Sequence, residues 1–181
     1  MPKALIIIDY INDFVADNGA LTCGAPGQAI DGRIAALARE YGGGGYVVVA
    51  TDAHAEGDPF HPESKLFPPH SLMGGSGRDL YGQTAEAVAG IDAANVIYLD
   101  KTRYSAFSGT NLDRLLRERG VTDICLVGVC SDICVLHTAI DAYNIGGYNV
   151  TVPADGVATF NPAGHEFALA HFAGTLGMTV S

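Results

Sequence analysis

The sequence predicts an α/β fold in three layers, α/β/α, with an open, mostly parallel six-stranded sheet and helices on both of its faces. Two observations indicate this class. Short apolar runs alternate along the whole chain with segments of helical periodicity. The first run, residues 4–8, is continuously apolar, which is typical of a parallel strand covered on both faces. Because 181 residues suffice for one sizeable core, we expect a single domain over 1–181.

Composition argues against several classes of function. Hydrophobic residues make up 48% of the chain and charged residues 17%, as in globular proteins. The net charge of −10 disfavours nucleic acid or an anionic membrane surface as a partner. No apolar run approaches the ~20 residues of a membrane span. The N-terminus does not resemble a secretory signal, so four cysteines indicate reduced thiols in a cytoplasmic protein.

The first part of the chain is predicted to form a strand, a loop, a helix and a second strand. The loop covers residues 10–24, and Pro26 suits the first position of the helix. Apolar residues three and four apart continue this helix to Tyr41. The glycines at 42–45 end it. They precede the second strand, 46–51, whereas a phosphate-binding loop follows a strand, so we interpret them as a flexible connection.

A long segment rich in glycine, proline and histidine, residues 52–77, follows the second strand. Segments of this length without regular structure are uncommon in compact domains and are often functional. After it, a helix is predicted over 78–88 and a third strand over 95–99. Thr110 is expected to cap the next helix, and Gly120 closes that helix.

The fourth strand leads into the stretch around which the chain is organised. An apolar run over 124–129 precedes Cys130, and then come Ser131 and Asp132, which are helix N-cap residue types. Cys134 therefore falls in the first turn of a helix. There, free N–H groups and the helix dipole favour a thiolate and lower the pKa of the thiol. The alternative is a small, inert, buried cysteine.

The remaining elements complete the alternation of strands and helices. A fifth strand is predicted over 148–152, a last helix from Pro162, and a sixth strand over 178–180. The two other cysteines, Cys23 in a loop and Cys125 within the fourth strand, are interpreted as structural.

Polar residues follow four successive strands. Asp9 follows the first strand, Asp52 the second and Lys101 the third, and Cys130 to Cys134 follow the fourth. Ligands of parallel sheets bind beyond the carboxyl ends of the strands, so we expect these residues on one rim. There, Lys101 could stabilise a thiolate and Asp9 could take the thiol proton.

Three alternatives remain open at this rim. Asp9 and Lys101 could form a plain ion pair. His137 shares a helical face with Cys134 and is a rival base, although it lies one turn deeper in the helix. Cys130 and Cys134 could be a redox pair in a thiol or metal-binding protein, but their spacing differs from that of the two-residue redox motif.

A second set of side chains indicates a metal site. Asp52 and His54 are separated by one residue and point the same way if the segment is extended. His61, Glu63 and His70 are further candidates in the same long segment. Such ligands suit zinc, manganese or iron. The alternative is a solvated, turn-rich loop in which the histidines are incidental.

Five motifs occur in order along the chain. They are Ile8-Asp9 with Phe14, Asp52-x-His54, the segment HPESKLFPPH from His61 to His70, Lys101-x-x-Tyr104-Ser105-Ala106-Phe107, and Gly128-Val129-x-x-Asp132-x-Cys134-Val135. Together they resemble the nicotinamidases, which belong to the isochorismatase-like cysteine hydrolases. The resemblance covers essentially the whole chain. The HPES and FPPH segments are similar to those of nicotinamidases from Gram-positive bacteria.

This resemblance implies a role for each matching residue. The catalytic triad is matched by Asp9, Lys101 and Cys134. The metal ligands are matched by Asp52, His54 and His70, with Glu63 as a further acidic ligand found in some members. The substrate pocket is matched by Phe14, Phe67, Tyr104, Val129 and Cys130. The Val129–Cys130 peptide matches a cis bond of the family, and the N–H groups of Cys130 and Cys134 match its oxyanion hole.

The implied reaction is metal-dependent hydrolysis of nicotinamide to nicotinate and ammonia through a thioester, in NAD salvage. The resemblance also implies pyrazinamide as a substrate, one divalent metal ion with zinc as the first choice, and a homo-oligomer. The nearer alternative is a related amidohydrolase that acts on another small carbamoyl or ureido amide. Such an enzyme would not need the metal site around His54 and His70.

The sequence departs from the family pattern beside both sites. Many relatives carry an aromatic residue where this chain has Ala53, and this changes the packing next to the metal. At the turn before the nucleophile, many have alanine or leucine and then threonine, where this chain has Cys130 and Ser131. The additional thiol predicts sensitivity to oxidation.

Overall fold

Every strand pairing in the central sheet is parallel. The computed structural model describes residues 1–181. Its strands are β1 (Lys3–Ile8), β2 (Tyr46–Asp52), β3 (Val96–Lys101), β4 (Asp123–Val129), β5 (Asn149–Val152), β6 (Val157–Ala158) and β7 (Thr179–Val180). The order across the sheet is β3-β2-β1-β4-β5-β7, and β6 pairs with the end of β4. The predicted fold class is confirmed, with seven strands in place of six.

Helices cover both faces of this sheet. They are α1 (Asn12–Val15), α2 (Ala25–Ala29), α3 (Asp31–Gly42), α4 (Gly82–Ala89), α5 (Leu112–Glu118), α6 (Leu136–Ile145) and α7 (Pro162–Gly174). Strand β1 shows the two layers of core most clearly. Leu5 and Ile7 pack in one hydrophobic cluster, whereas Ile6 and Ile8 pack in the other. This alternation explains why β1 is apolar at every position from Ala4 to Ile8. No helix combines the length and apolar character needed to cross a membrane.

Two predicted helices differ from those in the structure. The helix expected from Pro26 to Tyr41 is divided at Ile30 into α2 and α3. The helix expected over 78–88 is a 3₁₀ turn (Ser76–Arg78) followed by α4. A contact distant in sequence fixes the start of α4, because the Asp31 carboxylate accepts the N–H groups of Gln83 and Thr84.

Three smaller predictions also need correction. Asn111, not Thr110, occupies the N-cap position of α5, although the Thr110 hydroxyl accepts the Leu112 N–H at 3.2 Å. The loop predicted over 10–24 contains the short helix α1. Strand β6 was missed because its two residues, Val157 and Ala158, are too few to show any periodicity.

The turn after β4 is tight and irregular. Gly128 has φ of +115°, and a Cβ there would collide with the carbonyl oxygen of Ile8 in β1, so the position requires glycine. The Val129–Cys130 peptide is cis. A π-helical turn (Ser131–Val135) then leads into α6.

Ser131 and Asp132 do not cap this turn, contrary to the prediction. The Ser131 hydroxyl lies 3.0 Å from His165 Nδ1, and the Asp132 carboxylate accepts the Asn161 amide at 3.3 Å. Both side chains therefore connect the turn to the start of α7. These contacts depend on tertiary structure, so the local sequence could not predict them.

Candidate active site

The structure brings together at one rim the polar residues that were predicted to follow four successive strands, and two of them, Asp52 and Lys101, are the last residues of β2 and β3. Asp9, Asp52, Lys101 and Cys134 are all buried there, at the carboxyl ends of their strands. This placement follows from the parallel order of the sheet, because β1, β2, β3 and β4 are neighbours that point the same way.

Lys101 lies between two carboxylates. Its ammonium is fully buried, 2.7 Å from Asp9 Oδ2, and it also donates to Asp52 Oδ1 and to the Arg103 carbonyl. Asp9 has φ of +52°, and its Oδ1 accepts the Asp52 N–H at 2.8 Å. Asp9 Oδ2 and the Lys101 ammonium form an ion pair, but their geometry does not meet the angles of a hydrogen bond. Asp9 Oδ2 therefore remains able to accept a proton.

Cys134 lies beside this buried ion pair. The thiol of Cys134 and the carboxylates of Asp9 and Asp52 lie within 4.8 Å of one another. Burial raises the pKa of Asp9 to about 6, so the carboxylate is ionised at neutral pH. Burial also raises the pKa of the Cys134 thiol, and Lys101 does not offset this. The expected lowering of this pKa was wrong, because desolvation of this buried thiol outweighs the other influences on it.

The Cys130 N–H faces no acceptor within the protein. It takes part in no backbone hydrogen bond, although it stands at the end of β4, immediately before the turn that carries Cys134. An unpaired N–H at the wall of a cavity is available to a ligand oxygen.

The proposed metal ligands form a second buried cluster next to the first. One ligand atom from each of Asp52, His54, Glu63 and His70 lies within 4.8 Å of every other. His54 Nε2 is 3.8 Å and His70 Nε2 is 3.3 Å from the Glu63 carboxylate, and neither nitrogen makes a hydrogen bond.

These unpaired nitrogens fit a cation. His70 Nδ1 lies 2.8 Å from the Pro68 carbonyl and is therefore the protonated nitrogen, so in the neutral ring Nε2 directs a lone pair at Glu63. Burial disfavours a charged ring, but Glu63 and the Pro68 carbonyl outweigh it and raise the pKa of His70. A divalent cation between the rings and the carboxylate would replace that proton, as at carboxylate–histidine metal sites.

His61 supports this cluster without joining it. Its Nδ1 accepts the Glu63 N–H at 3.2 Å, which leaves Nε2 to donate to the Thr102 carbonyl at 2.8 Å. Its ring packs on His54 with 4.3 Å between centroids. Both nitrogens of His61 are thus occupied. The ring orients two proposed metal ligands, Glu63 through the hydrogen bond and His54 through ring packing.

Asp13 and Arg78 hold the backbone around the metal ligands. Asp13 Oδ2 accepts the N–H of Ser71, which follows His70 and has φ of +48°. Arg78 Nε donates to the Asp52 carbonyl at 2.7 Å. The sequence did not point to either residue, because both act through the backbone of a residue distant in sequence.

We expect Asp13→Ala to weaken the binding of a divalent cation at this cluster by about 10–100-fold, as is typical for loss of a group that orients a metal ligand. Zinc titration by calorimetry would measure this, with Asp17→Ala, an exposed neighbour, as the control. Equal zinc affinity in the two variants would contradict the proposed role of Asp13.

A cavity of about 240 Å³ joins the two clusters. Its lining includes every residue that the resemblance assigned to the substrate pocket, namely Phe14, Phe67, Tyr104, Val129 and Cys130. Asp9, Asp52, Glu63 and Cys134 complete the polar part of the wall. The cavity therefore places a buried thiol and two members of the metal-ligand cluster, Asp52 and Glu63, around one small, largely apolar space.

Four lining residues were not predicted: Leu21, Thr22, Ile133 and Phe160. Phe160 follows β6, so the rule that functional residues follow parallel strands would have found it had β6 been recognised. Leu21 and Thr22 lie in the loop after α1, and nothing in the sequence signals their position.

His137 is not placed to act as the base. It is exposed, its Nδ1 lies 2.7 Å from the Ile133 carbonyl, and it does not line the cavity.

Cys130 has its nearest thiol contact with Cys23, at 3.3 Å, rather than with Cys134. Ala53 is buried beside the metal ligands.

Lys101→Met should destabilise the protein by about 3–5 kcal/mol, because it leaves the buried carboxylates of Asp9 and Asp52 without their cation. Urea unfolding would measure the change. Lys3→Met is the matched control, since it removes an exposed pair with Glu40, worth about 0–1 kcal/mol, and a surface contact with the Tyr41 ring, but leaves no buried charge unpaired. Similar losses in both variants would show that Lys101 is not compensating buried charge.

Comparison with known proteins agrees with this geometry. Residues 3–181 match the family model of the isochorismatase domain. The crystal structure of nicotinamidase/pyrazinamidase PncA from Bacillus subtilis is 51% identical, with a TM-score of 0.94 over 100% of both chains. The pyrazinamidase/nicotinamidase of Streptococcus mutans UA159 is 52% identical, with a TM-score of 0.95 over 99% of each chain.

A more distant structure was solved with a metal. The pyrazinamidase of Pyrococcus horikoshii in complex with zinc is 26% identical, with a TM-score of 0.84 over 100% of this chain and 99% of that one. Together with the family match over nearly the whole length, these likenesses show that this chain belongs to the isochorismatase family of hydrolases.

Proposed function

We propose that the protein hydrolyses nicotinamide to nicotinate and ammonia, with Cys134 as the nucleophile. One observation carries the proposal: a buried thiol and a carboxylate that is paired with a buried ammonium line a small cavity, and two members of a four-residue metal-ligand cluster line the same cavity. Similarity to the nicotinamidases named above supports nicotinamide, and pyrazinamide as its ring analogue.

The cavity suits a single aromatic ring that carries an amide. Phe14, Phe67 and Tyr104 supply aromatic walls, and the ionisable groups of the two clusters lie among mostly apolar lining residues. Apolar walls with a few convergent polar groups are the usual form of a small-molecule site. A ring held between the aromatic side chains can present its carboxamide to Cys134.

The first half of the reaction forms a thioester. Asp9 takes the proton from Cys134 as the sulfur attacks the amide carbon. The carbonyl oxygen becomes an oxyanion, which the N–H groups of Cys130 and Cys134 stabilise. Lys101 holds Asp9 in place and balances its charge before transfer. Asp9 then delivers the proton to the departing nitrogen, so that ammonia leaves and the acyl group stays on sulfur.

In the second half of the reaction, water is the nucleophile and the Cys134 sulfur is the leaving group. Asp9 removes a proton from a water molecule that attacks the thioester carbon, and the same N–H groups stabilise the second oxyanion. The carbon–sulfur bond breaks, nicotinate is released, and Asp9 returns the proton to Cys134.

A divalent cation, with zinc as the first choice and manganese or iron as alternatives, would supply a Lewis acid that binds the ring nitrogen. Asp52, His54, Glu63 and His70 would hold it.

We expect His70→Ala to lose bound zinc, because the variant lacks a buried nitrogen that has no other partner. Zinc content after dialysis, measured by elemental analysis, tests this directly. His171→Ala on α7 is the control, because it changes a histidine that is outside the cluster. Full zinc occupancy in His70→Ala would exclude His70 as a ligand.

The decisive test of the substrate is ammonia release. Zinc-loaded protein should release ammonia from nicotinamide and pyrazinamide much faster than from an N-carbamoyl amino acid or a ureido acid. The reverse preference would favour the related amidohydrolases of carbamoyl or ureido amides. Ammonia release from none of these amides would refute the proposed function.

We also propose that this reaction serves NAD salvage in the cytoplasm, carried out by a homo-oligomer of single-domain chains spanning residues 1–181. Four free cysteines suit a reducing compartment. Sedimentation analysis would establish the oligomeric state.

A further inference from the structure

Two buried thiols meet at the wall of the cavity. Cys23 Sγ lies 3.3 Å from Cys130 Sγ, although the residues are 107 positions apart in the chain. Both are free thiols, and both side chains are buried. The Cys134-centred reaction uses neither sulfur, so their contact has no explanation in the proposed mechanism.

The surrounding structure holds Cys23 in this position. Its N–H donates to the Phe14 carbonyl at 2.8 Å, and its Cβ packs against Gly27 of α2, where an added Cβ would lie 3.1 Å away. Cys130 is fixed by the end of β4. The two sulfurs therefore come from separate elements, each held by its own backbone contacts.

Small molecules in the cavity can reach this contact. Cys130 lines the cavity directly, and Leu21 and Thr22, which precede Cys23, line the same cavity. A peroxide is smaller than an aromatic amide, so a cavity of about 240 Å³ admits it.

We propose that Cys23 and Cys130 are an oxidative modification site that closes to a disulfide when hydrogen peroxide enters the cavity. One thiol attacks the O–O bond, which gives a sulfenic acid and releases one water molecule. The second thiol attacks the sulfenic sulfur, and the S–S bond forms as a second water molecule leaves. Two thiols are oxidised, and one peroxide is reduced to two water molecules.

Closure requires only a small movement. A disulfide bond is about 2.05 Å long, so the sulfurs must approach by roughly 1.2 Å from their present separation. A shift of Cys130 displaces its N–H, which is a proposed oxyanion donor. We therefore expect oxidation to slow amide hydrolysis, and this consequence alone rests on the proposed function.

Peptide mapping tests the modification site without any need for turnover. Wild-type protein is treated with hydrogen peroxide, its remaining thiols are alkylated under denaturing conditions, and disulfide-linked peptides are identified by mass. We expect a Cys23–Cys130 link that dithiothreitol removes. Cys125→Ser, which changes a buried thiol on β4, should give the same link, and Cys23→Ser should give none.

Oxidation of Cys134 while Cys23 and Cys130 stay alkylatable would overturn the proposal. If Cys23→Ser does not fold, Cys23→Ala replaces it in the same comparison.

In a separate assay, peroxide should reduce the rate of nicotinamide hydrolysis by the wild type by about tenfold or more, since one oxyanion donor is displaced. Dithiothreitol should restore that rate, and the rate of Cys23→Ser should show no such reversible loss.

Discussion

Cys134→Ala is expected to lower the rate of ammonia release from nicotinamide by about 10⁴-fold or more. The variant removes the atom that forms the acyl intermediate, and no other thiol among the lining residues lies beside Asp9 and Lys101. Steady-state assays of metal-loaded protein would measure the loss. Zinc content should be unchanged, because Cys134 is not among the four metal-cluster residues.

Cys125→Ala is the matched control for this experiment. Cys125 is also a buried, free cysteine, but it lies within β4 and does not line the cavity. It should retain nearly all activity. A Cys134→Ala variant that keeps a substantial part of the wild-type rate would show that the thiol is not the nucleophile.

Asp9→Asn is expected to reduce the rate by about 10²–10⁴-fold, because an amide cannot accept the thiol proton or return it to the leaving nitrogen. The amide oxygen can still accept the Asp52 N–H, so the backbone at the end of β1 should keep its conformation. Circular dichroism and zinc content would verify that the fold and metal site persist.

Asp17→Asn provides the comparison for Asp9→Asn, since Asp17 is an exposed carboxylate that accepts a hydrogen bond from Gln28. Its rate should equal that of the wild type. If Asp9→Asn retained full activity, a different base would have to be sought, and the proton path through Asp9 would be abandoned.

The fold and the rim of the sheet were predictable because they depend on short-range pattern. Continuous apolar runs identified β1 to β4, and the rule for parallel strands then placed Asp9, Asp52, Lys101 and Cys134 together. The metal-ligand cluster was harder, since the residue pattern alone did not separate ligands from incidental loop histidines. Resemblance to a family supplied that distinction, and the structure brings the four side chains together.

The features that escaped prediction depend on tertiary contacts. The start of α4 is set by Asp31, a residue in another helix. The pKa of Cys134 depends on burial, which outweighs the helix end that the sequence indicated. The contact between Cys23 and Cys130 joins two segments that have no shared pattern. To predict any of these three features, one must know which segments of the chain meet in the fold. The spacing of residues along the chain does not give that information.

The central claim is that Cys134 carries the acyl group during turnover. Rapid acid quenching of wild-type protein mixed with excess nicotinamide, followed by peptide mass analysis, tests it most directly. We expect a nicotinoyl adduct on the peptide that contains Cys134, and none after mixing with nicotinate or in Cys134→Ala. An adduct on another residue, or ammonia release by Cys134→Ala at the wild-type rate, would contradict it.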